Sequence, residues 1–362
     1  MVRDNLLNDL TIGIVRESPF ISKSANEWMH EAIEKPTQRK LFGDLWFENE
    51  LAILFAETNA GKSILAVQIA DSISRGYAIP PFGMDADKQR VVYFDFELSE
   101  KQFEKRYSMN GTEHYIFDED LIRVENNPYA DYPEGDYASF ICDSIEECIL
   151  HFNAKVAIID NITYLNDELE KSKDALPLMK LLKNIKLKHN LSILILAHTP
   201  KRDLSRPLNK NDLQGSKMIM NFIDSAFVIG ESAKEKSMRY IKHLKSRNSS
   251  LVYCSENVLS CKIVMDYNFL KFVFLEECKE SEHLVEKVRM EQEKLIETTK
   301  DLHSKGYGSR FIADVVGVSH STINRLIREL KSKDELIPVE SGTFRSNADC
   351  SNVPDAPACS TL

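Results

Sequence analysis

The chain has 362 residues, 43% hydrophobic and 28% charged, the mix of an ordinary globular protein with room for one large α/β domain and a smaller one. No apolar run approaches the ~18–20 residues of a membrane helix, and the acidic start MVRDNLLNDLTIG does not read as a secretory leader. A net charge of −10 argues against a protein coated for nucleic acid while leaving room for local basic loops, and seven scattered cysteines without CxxC spacing fit reduced thiols in the cytoplasm.

Residues 1–39 form a lead-in, in which SANEWMHEAIEKP has helical periodicity and stops at Pro36. Over residues 40–280 short apolar strands alternate with helical stretches: LAILFA, VVYFDFE, KVAIIDN, SILILAH, SAFVIG, RYIKHLK and FLKFVFLEE. Helix-length segments separate the first four, as a parallel βαβ sheet requires. The later ones follow closely and are expected to pair antiparallel at one sheet edge. The expected fold is doubly wound α/β. Cys142 and Cys148, on one predicted helix, read as buried apolar residues.

Leu51 to Ala66 carries the strongest motif, an apolar strand, a small-residue loop and a helix. Ala56, Glu57, Thr58, Asn59, Ala60, Gly61, Lys62, Ser63 and Ile64 make a P-loop, whose backbone N–H groups and helix N-terminus cradle phosphates. Lys62 is expected to reach the β- and γ-phosphates of ATP and Ser63 to ligate Mg²⁺. Gly61 lets the backbone approach closely. Ala56 stands where glycine is usual, which requires a negative φ there.

Asp95 and Glu97 end the next strand and, by alternation, are expected to share a face; Glu97, nearest the tip, is the candidate to orient the attacking water. Asp160, after four apolar residues, has the position of a Mg²⁺-binding carboxylate. His198 ends a further strand, placed to sense the γ-phosphate. The polar segment after it carries Lys201, Arg202, Arg206, Lys210 and Lys217, and is expected to be a mobile loop contacting phosphodiesters. Lys245 and Arg247 fall on one face of an expected edge strand, within reach of a neighbouring subunit's nucleotide.

These elements resemble the RecA-like hexameric ATPases of the plasmid RepA replicative-helicase group. The resemblance rests on AETNAGKS, YFDFE, AIIDN, LAHTPK, DLQGSKMIMNFIDSAFVI and the KxR of HLKSRN, in the family's order from about Leu41 to Glu277. It implies a RecA-like P-loop fold, with a parallel central sheet and antiparallel edge strands, in an ATP-driven homo-hexamer with sites between subunits. Glu97 would be the catalytic carboxylate, Lys245 and Arg247 would act in trans, and Gly215 and Ser216 would face a channel holding single-stranded DNA. A primase or other replication partner would fit the same role.

Residues 281–300 read as a connecting helix with an apolar stripe through Leu284, Val288, Leu295 and, beyond it, Leu302. Residues 301–340 contain SRFIADVVGVSHSTINRLIREL, which resembles a winged or resolvase-type helix-turn-helix. A helix bearing Ile312, Ala313 and Val316 ends at Gly317, Val318 plugs the turn and Ser319 caps the second helix. That helix buries Ile323, Leu326 and Ile327 and presents His320, Ser321, Asn324, Arg325 and Arg328 to duplex DNA. Residues 341–362 read as a disordered polar tail. Two functions follow: a Mg-ATP-dependent DNA motor, or a DNA-binding ATPase switch such as a regulator, partition or recombination-mediator protein.

Overall fold

The computed structural model describes residues 20–131, 137–165, 175–200, 203–213 and 216–333; the tail lies outside them. The chain separates into two units between Arg39 and Lys40. In the first, α1 (Ala25–Ile33) opens with a capping box: the Ser24 hydroxyl accepts from the Glu27 N–H at 3.2 Å and the Glu27 carboxylate accepts from the Ser24 N–H at 2.7 Å.

The second unit is built on a nine-stranded sheet. In chain order its strands are β1 (Leu51–Ala56), β2 (Val91–Asp95), β3 (Leu121–Val124), β4 (Val156–Asp160), β5 (Ser192–His198), β6 (Ser225–Glu231), β7 (Met238–Lys245), β8 (Val258–Asp266) and β9 (Phe269–Cys278). Across the sheet the order is β9-β8-β7-β6-β1-β5-β4-β2-β3. From β6 to β3 every pairing is parallel, and β7, β8 and β9 join antiparallel at the other side. This is the expected α/β architecture, a parallel centre with antiparallel strands at one edge.

Two strands escaped the sequence reading. β3 is short and only half-buried, and β8 (VLSCKIVMD) carries Ser260, Cys261 and Lys262 through its middle, which breaks the apolar run. One consequence is a correction: β7, expected at the edge, is covered by β8 and β9 and lies inside the sheet.

Helices cover both faces. α2 (Lys62–Arg75) packs Leu65, Val67, Ile69 and Ile73 on one face, while α4 (Tyr137–His151), α5 (Ala175–His189) and α6 (Ser216–Phe222) cover the other. A short helix, α3 (Glu100–Arg106), follows β2. Cys142 is buried on α4 as expected, whereas Cys148 is half-exposed. The outer side of α2 is closed by the β8–β9 hairpin, where the Gln68 amide donates to the Phe272 carbonyl at 3.0 Å and accepts its N–H at 2.8 Å. That explains why a helix holding Gln68, Asp71 and Ser72 is buried almost all round.

The C-terminal helices are α7 (Val285–Ser304), α8 (Ser309–Val316) and α9 (His320–Ser332). α7 runs unbroken past residue 301, so the division expected there between connecting helix and small domain falls inside one helix. Leu295, Ile296 and Leu302 of α7 share a cluster with Ile312, Ala313, Ile323, Ile327 and Leu330. Leu284 is buried just before the helix. Gly317 takes φ +71° to end α8, and the Ser319 hydroxyl accepts from the Thr322 N–H at 3.2 Å to start α9. Among the described residues no helix is long and apolar enough to cross a membrane.

Candidate active site

The parallel register gathers the candidate residues at one end of the sheet. Ala56 stands opposite His198, and Asp95 opposite Asp160, so β1, β5, β4 and β2 end side by side. Ligands in open α/β sheets bind beyond such carboxyl ends.

The loop from Ala56 to Gly61 joins β1 to α2. Ala56 completes its strand and is not among the residues of positive φ, as its side chain requires. Gly61 has φ +103°, and a Cβ built on it would lie 2.6 Å from Ile263 Cδ1 and 2.9 Å from the Phe272 ring. Glycine is therefore demanded twice, by conformation and by the hairpin packed over the loop. The Lys62 side chain is buried. Its Nζ donates to the carbonyls of Ala56 at 3.2 Å and Glu57 at 3.1 Å and lies 3.0 Å from His198 Nδ1. Burial lowers the Lys62 pKa, opposed by the nearby charges of Glu97 and Asp160.

His198 joins this lysine to the candidate catalytic carboxylate. Its Nδ1 faces a cationic donor, so in the neutral ring Nδ1 accepts and Nε2 carries the proton. Nε2 then donates to Glu97 Oε1, 3.2 Å away. The Asn161 amide, 3.2 Å from the same Nε2, also donates to Glu97 Oε1, while Asn161 Oδ1 accepts from the Thr163 N–H at 2.8 Å. The bond from His198 lowers the Glu97 pKa, assisted by Asn161 and Lys62 against the opposing effect of burial. Glu97 is thus ionised at neutral pH and aimed by two donors.

Asp160 is fully buried. Its Oδ2 accepts from the Tyr93 hydroxyl at 2.6 Å, while Oδ1 has no hydrogen-bond partner of good geometry. Burial raises its pKa to about 6, partly offset by Ser63 and Tyr93. A buried carboxylate oxygen with an open valence beside a P-loop hydroxyl suits a hard cation, so Ser63 and Asp160 fit Mg²⁺. Among the described residues no group of three His, Cys, Asp or Glu could form a metal cage. Mg²⁺ bound by one or two protein groups together with phosphates needs none.

In sequence, a family model described as an AAA domain matches residues 17–203, more than half of the chain. The match takes in Lys62, Glu97, Asp160 and His198. The chain belongs to the AAA domain family. Among solved structures it is similar to a KaiC-like protein of the hyperthermophilic archaeon Pyrococcus horikoshii OT3, at 15% identity and a TM-score of 0.42, over 63% of this chain and 91% of that one. No curated protein matches it in sequence.

Several expectations need correction in this AAA domain. Asp95 does not share a face with Glu97, because β2 stops at Asp95 and the alternation stops with it. Its carboxylate instead pairs with Arg123 at 2.9 Å and accepts from the Glu97 and Leu98 N–H groups. Arg247 lies past the end of β7 and so does not share a strand face with Lys245, and both lie far from their own P-loop, which leaves the expected role in trans open: Lys245 pairs with Ala226 at the start of β6, whereas Ile229, near its end, pairs with Ala56. Lys245 Nζ donates to the carbonyls of Met220, in the last turn of α6, and of Ile223 just beyond it, and Arg247 pairs with Asp224 at 3.0 Å.

The polar segment after β5 was expected to be mobile, but residues 203–213 are pinned. Leu208 and Leu213 are buried, and the Leu208 N–H donates to buried Glu280 at 2.7 Å. Arg206 pairs with Asp212 at 2.6 Å, and Lys210 is exposed on a short turn capped by Asn209. Lys201, Arg202, Gly215 and the side chains of Ser216 and Lys217 lie outside the described residues.

On α9, His320, Ser321, Arg325 and Arg328 are exposed and Asn324 is half-buried, its amide 3.1 Å from His320 Nε2. Asn161, Tyr93 and Arg123 were not singled out from the sequence. Asn161 follows directly on the Asp160 motif, the one signal that would have found it.

Proposed function

We propose that this P-loop ATPase is a Mg-ATP-dependent, ring-forming DNA motor of the replicative-helicase kind. The observation that carries the reading is His198, which touches both Lys62 and Glu97 and is the last residue of β5 before the segment bearing the basic residues. The next N–H, that of Thr199, donates to the Ala56 carbonyl at 3.0 Å, tying that segment to the P-loop. Phosphates arriving at the loop compete with the Ala56 and Glu57 carbonyls and His198 for Lys62. A change at the γ-phosphate is thereby passed to the Glu97 carboxylate and to the root of the polar segment.

In this scheme the P-loop N–H groups and Lys62 bind and orient the triphosphate. Glu97, held by Asn161 and His198, aligns the attacking water and accepts its proton. Mg²⁺, held by Ser63 and Asp160, would neutralise charge on the β- and γ-phosphates. Lys245 and Arg247 cannot serve their own P-loop from the far end of the sheet, so an active-site role for them requires a neighbouring subunit. Lys210 and the adjoining cations would contact single-stranded DNA, and α9 would bind duplex.

The test is the ATPase rate against added single-stranded and duplex DNA, with oligomer mass recorded alongside. Strong single-strand stimulation in a ring-sized assembly supports the motor. A second reading, the ATPase switch, is favoured by the pinning of residues 203–213 and by the exposed cations of α9. A slow rate in which one duplex site alone changes turnover selects it.

A further inference from the structure

We propose that Arg123, on the edge strand β3, is a positioning residue for hydrolysis: it locks the backbone turn that presents Glu97. The inference rests on the ATPase reading and on Glu97 orienting water. After β2 ends at Asp95 the chain leaves the sheet, and residues 96–98 must be held by other means. Three backbone N–H groups and one carbonyl tie them down. The Phe96 N–H donates to the Asp160 carbonyl at 2.9 Å. The Glu97 and Leu98 N–H groups donate to Asp95 Oδ1 at 3.2 and 2.9 Å, the pattern of an Asx turn.

Arg123 grips this turn from two sides. Its Nε donates to Asp95 Oδ2 at 2.9 Å, fixing the carboxylate that receives the turn's N–H groups. Its Nη2 donates to the Leu98 carbonyl at 2.7 Å, closing the far side of the same turn. The guanidinium lies 4.5 Å from the Phe103 ring centre, so it is packed as well as bonded. Asp95 is fully buried and its partner is four-fifths buried, which shields the pair from salt. A planar fork can make both bonds at once; a lysine ammonium on its flexible stem cannot reproduce that geometry.

The consequence is preorganisation. Glu97 must lie close to the water it aligns, and a misplacement of about 1 Å can cost about 100-fold in rate. Arg123 touches neither the P-loop nor Ser63 among its bonds, so its loss should leave nucleotide binding intact.

The experiment compares wild type, Arg123→Gln, Arg123→Lys, Glu97→Gln and the double variant Glu97→Gln/Arg123→Gln in the full chain. Affinity for a fluorescent ATP analogue with Mg²⁺ and the single-turnover hydrolysis rate are read together. Arg123→Gln should lower the rate about 10–100-fold with affinity nearly unchanged, and Arg123→Lys should recover little of it. The double variant should be no slower than Glu97→Gln alone, because Arg123 acts through Glu97. A rate for the double variant equal to the product of the two single losses would overturn the proposal, as would equal losses in affinity and rate. If Arg123→Gln does not fold, Arg123→Lys carries the same comparison. A wild-type protein that binds but never hydrolyses ATP would sink the ATPase reading and the proposal with it. Active wild type, inactive Glu97→Gln and unimpaired Arg123→Gln would sink the positioning role alone.

Discussion

Glu280 is the residue on which the greatest stability penalty is expected to fall. It is wholly buried at the junction of β9 and α7, and its carboxylate is fully used. Oε1 accepts from the Leu208 N–H at 2.7 Å and the Tyr240 hydroxyl at 3.2 Å; Oε2 accepts from Ser255 Oγ at 2.9 Å and from Lys242 Nζ. Lys242, also buried, donates in addition to the Leu208 carbonyl at 2.6 Å. Glu280→Gln preserves the shape but turns one acceptor into a donor facing the Lys242 ammonium and the Ser255 hydroxyl. A buried charge stripped of its partner costs about 3–5 kcal/mol. Lys242→Met leaves the carboxylate without its cation and should cost a similar amount. Joining the two substitutions removes both charges, so the double variant should lose less than the sum, with a coupling of about 2 kcal/mol.

Urea unfolding of the four proteins, with the slope of each transition compared, measures these terms. Amide exchange around Leu208 should rise in Glu280→Gln, since both backbone groups of that residue depend on the pair. Single variants within about 1 kcal/mol of wild type, or strictly additive losses, would refute the reasoning.

Gly61→Ala should abolish nucleotide binding and lower stability by about 2–4 kcal/mol, from the left-handed φ and the collision with Ile263 and Phe272; calorimetry and a thermal melt check both. Asp160 has a folded pKa raised from 3.8 to about 6, so the native state binds its proton more tightly than the unfolded chain and the charged form is a burden. At about 1.4 kcal/mol per pKa unit this amounts to about 3 kcal/mol, fully present above about pH 7, shrinking as pH falls from about 6 toward 3.8 and absent by about pH 3. In metal-free buffer Asp160→Asn should therefore be more stable than wild type at pH 7.5 and equal to it near pH 3; a gain that persists undiminished at pH 3 would contradict this. Arg247→Ala should keep nucleotide binding and lose hydrolysis if the residue acts in trans. Normal turnover with a lower melting temperature would assign it wholly to the Asp224 contact.

The P-loop was legible because its chemistry is local: one strand end, one loop and one helix start within a few residues impose Gly61, Lys62 and Ser63 together. Strand tips were legible for a related reason, since four apolar residues followed by Asp160 or His198 mark the carboxyl end of a buried strand, and parallel order sets those ends side by side. The missing information was pairing at long range. Lys62 and His198 are 136 positions apart, and Arg123 lies 28 from Asp95. Neither periodicity nor composition records which cation a buried carboxylate will find. That is why Asp95 was expected on the same face as Glu97 when its carboxylate is already engaged by a backbone turn and Arg123.

The same blindness explains the two basic features that changed meaning. Arg206 and the residues around it read as a mobile cationic loop, because polar, Asn- and Asp-rich sequence lacks anchors of its own. Its anchors are Leu208 and Leu213, two leucines in a polar context, and a glutamate more than seventy positions away. Lys245 and Arg247 read as a free pair on an edge strand, but β7 ends at Lys245 and lies inside the sheet, and both cations, Arg247 still exposed, are tied to carbonyls or to Asp224. For either to reach another subunit's phosphate it must first release those partners. The trans role thus demands a conformational step near α6 rather than a side chain already waiting. Asp224 holds the Leu51 N–H at 3.0 Å as well as Arg247, so such a step would be felt at the root of the P-loop strand itself.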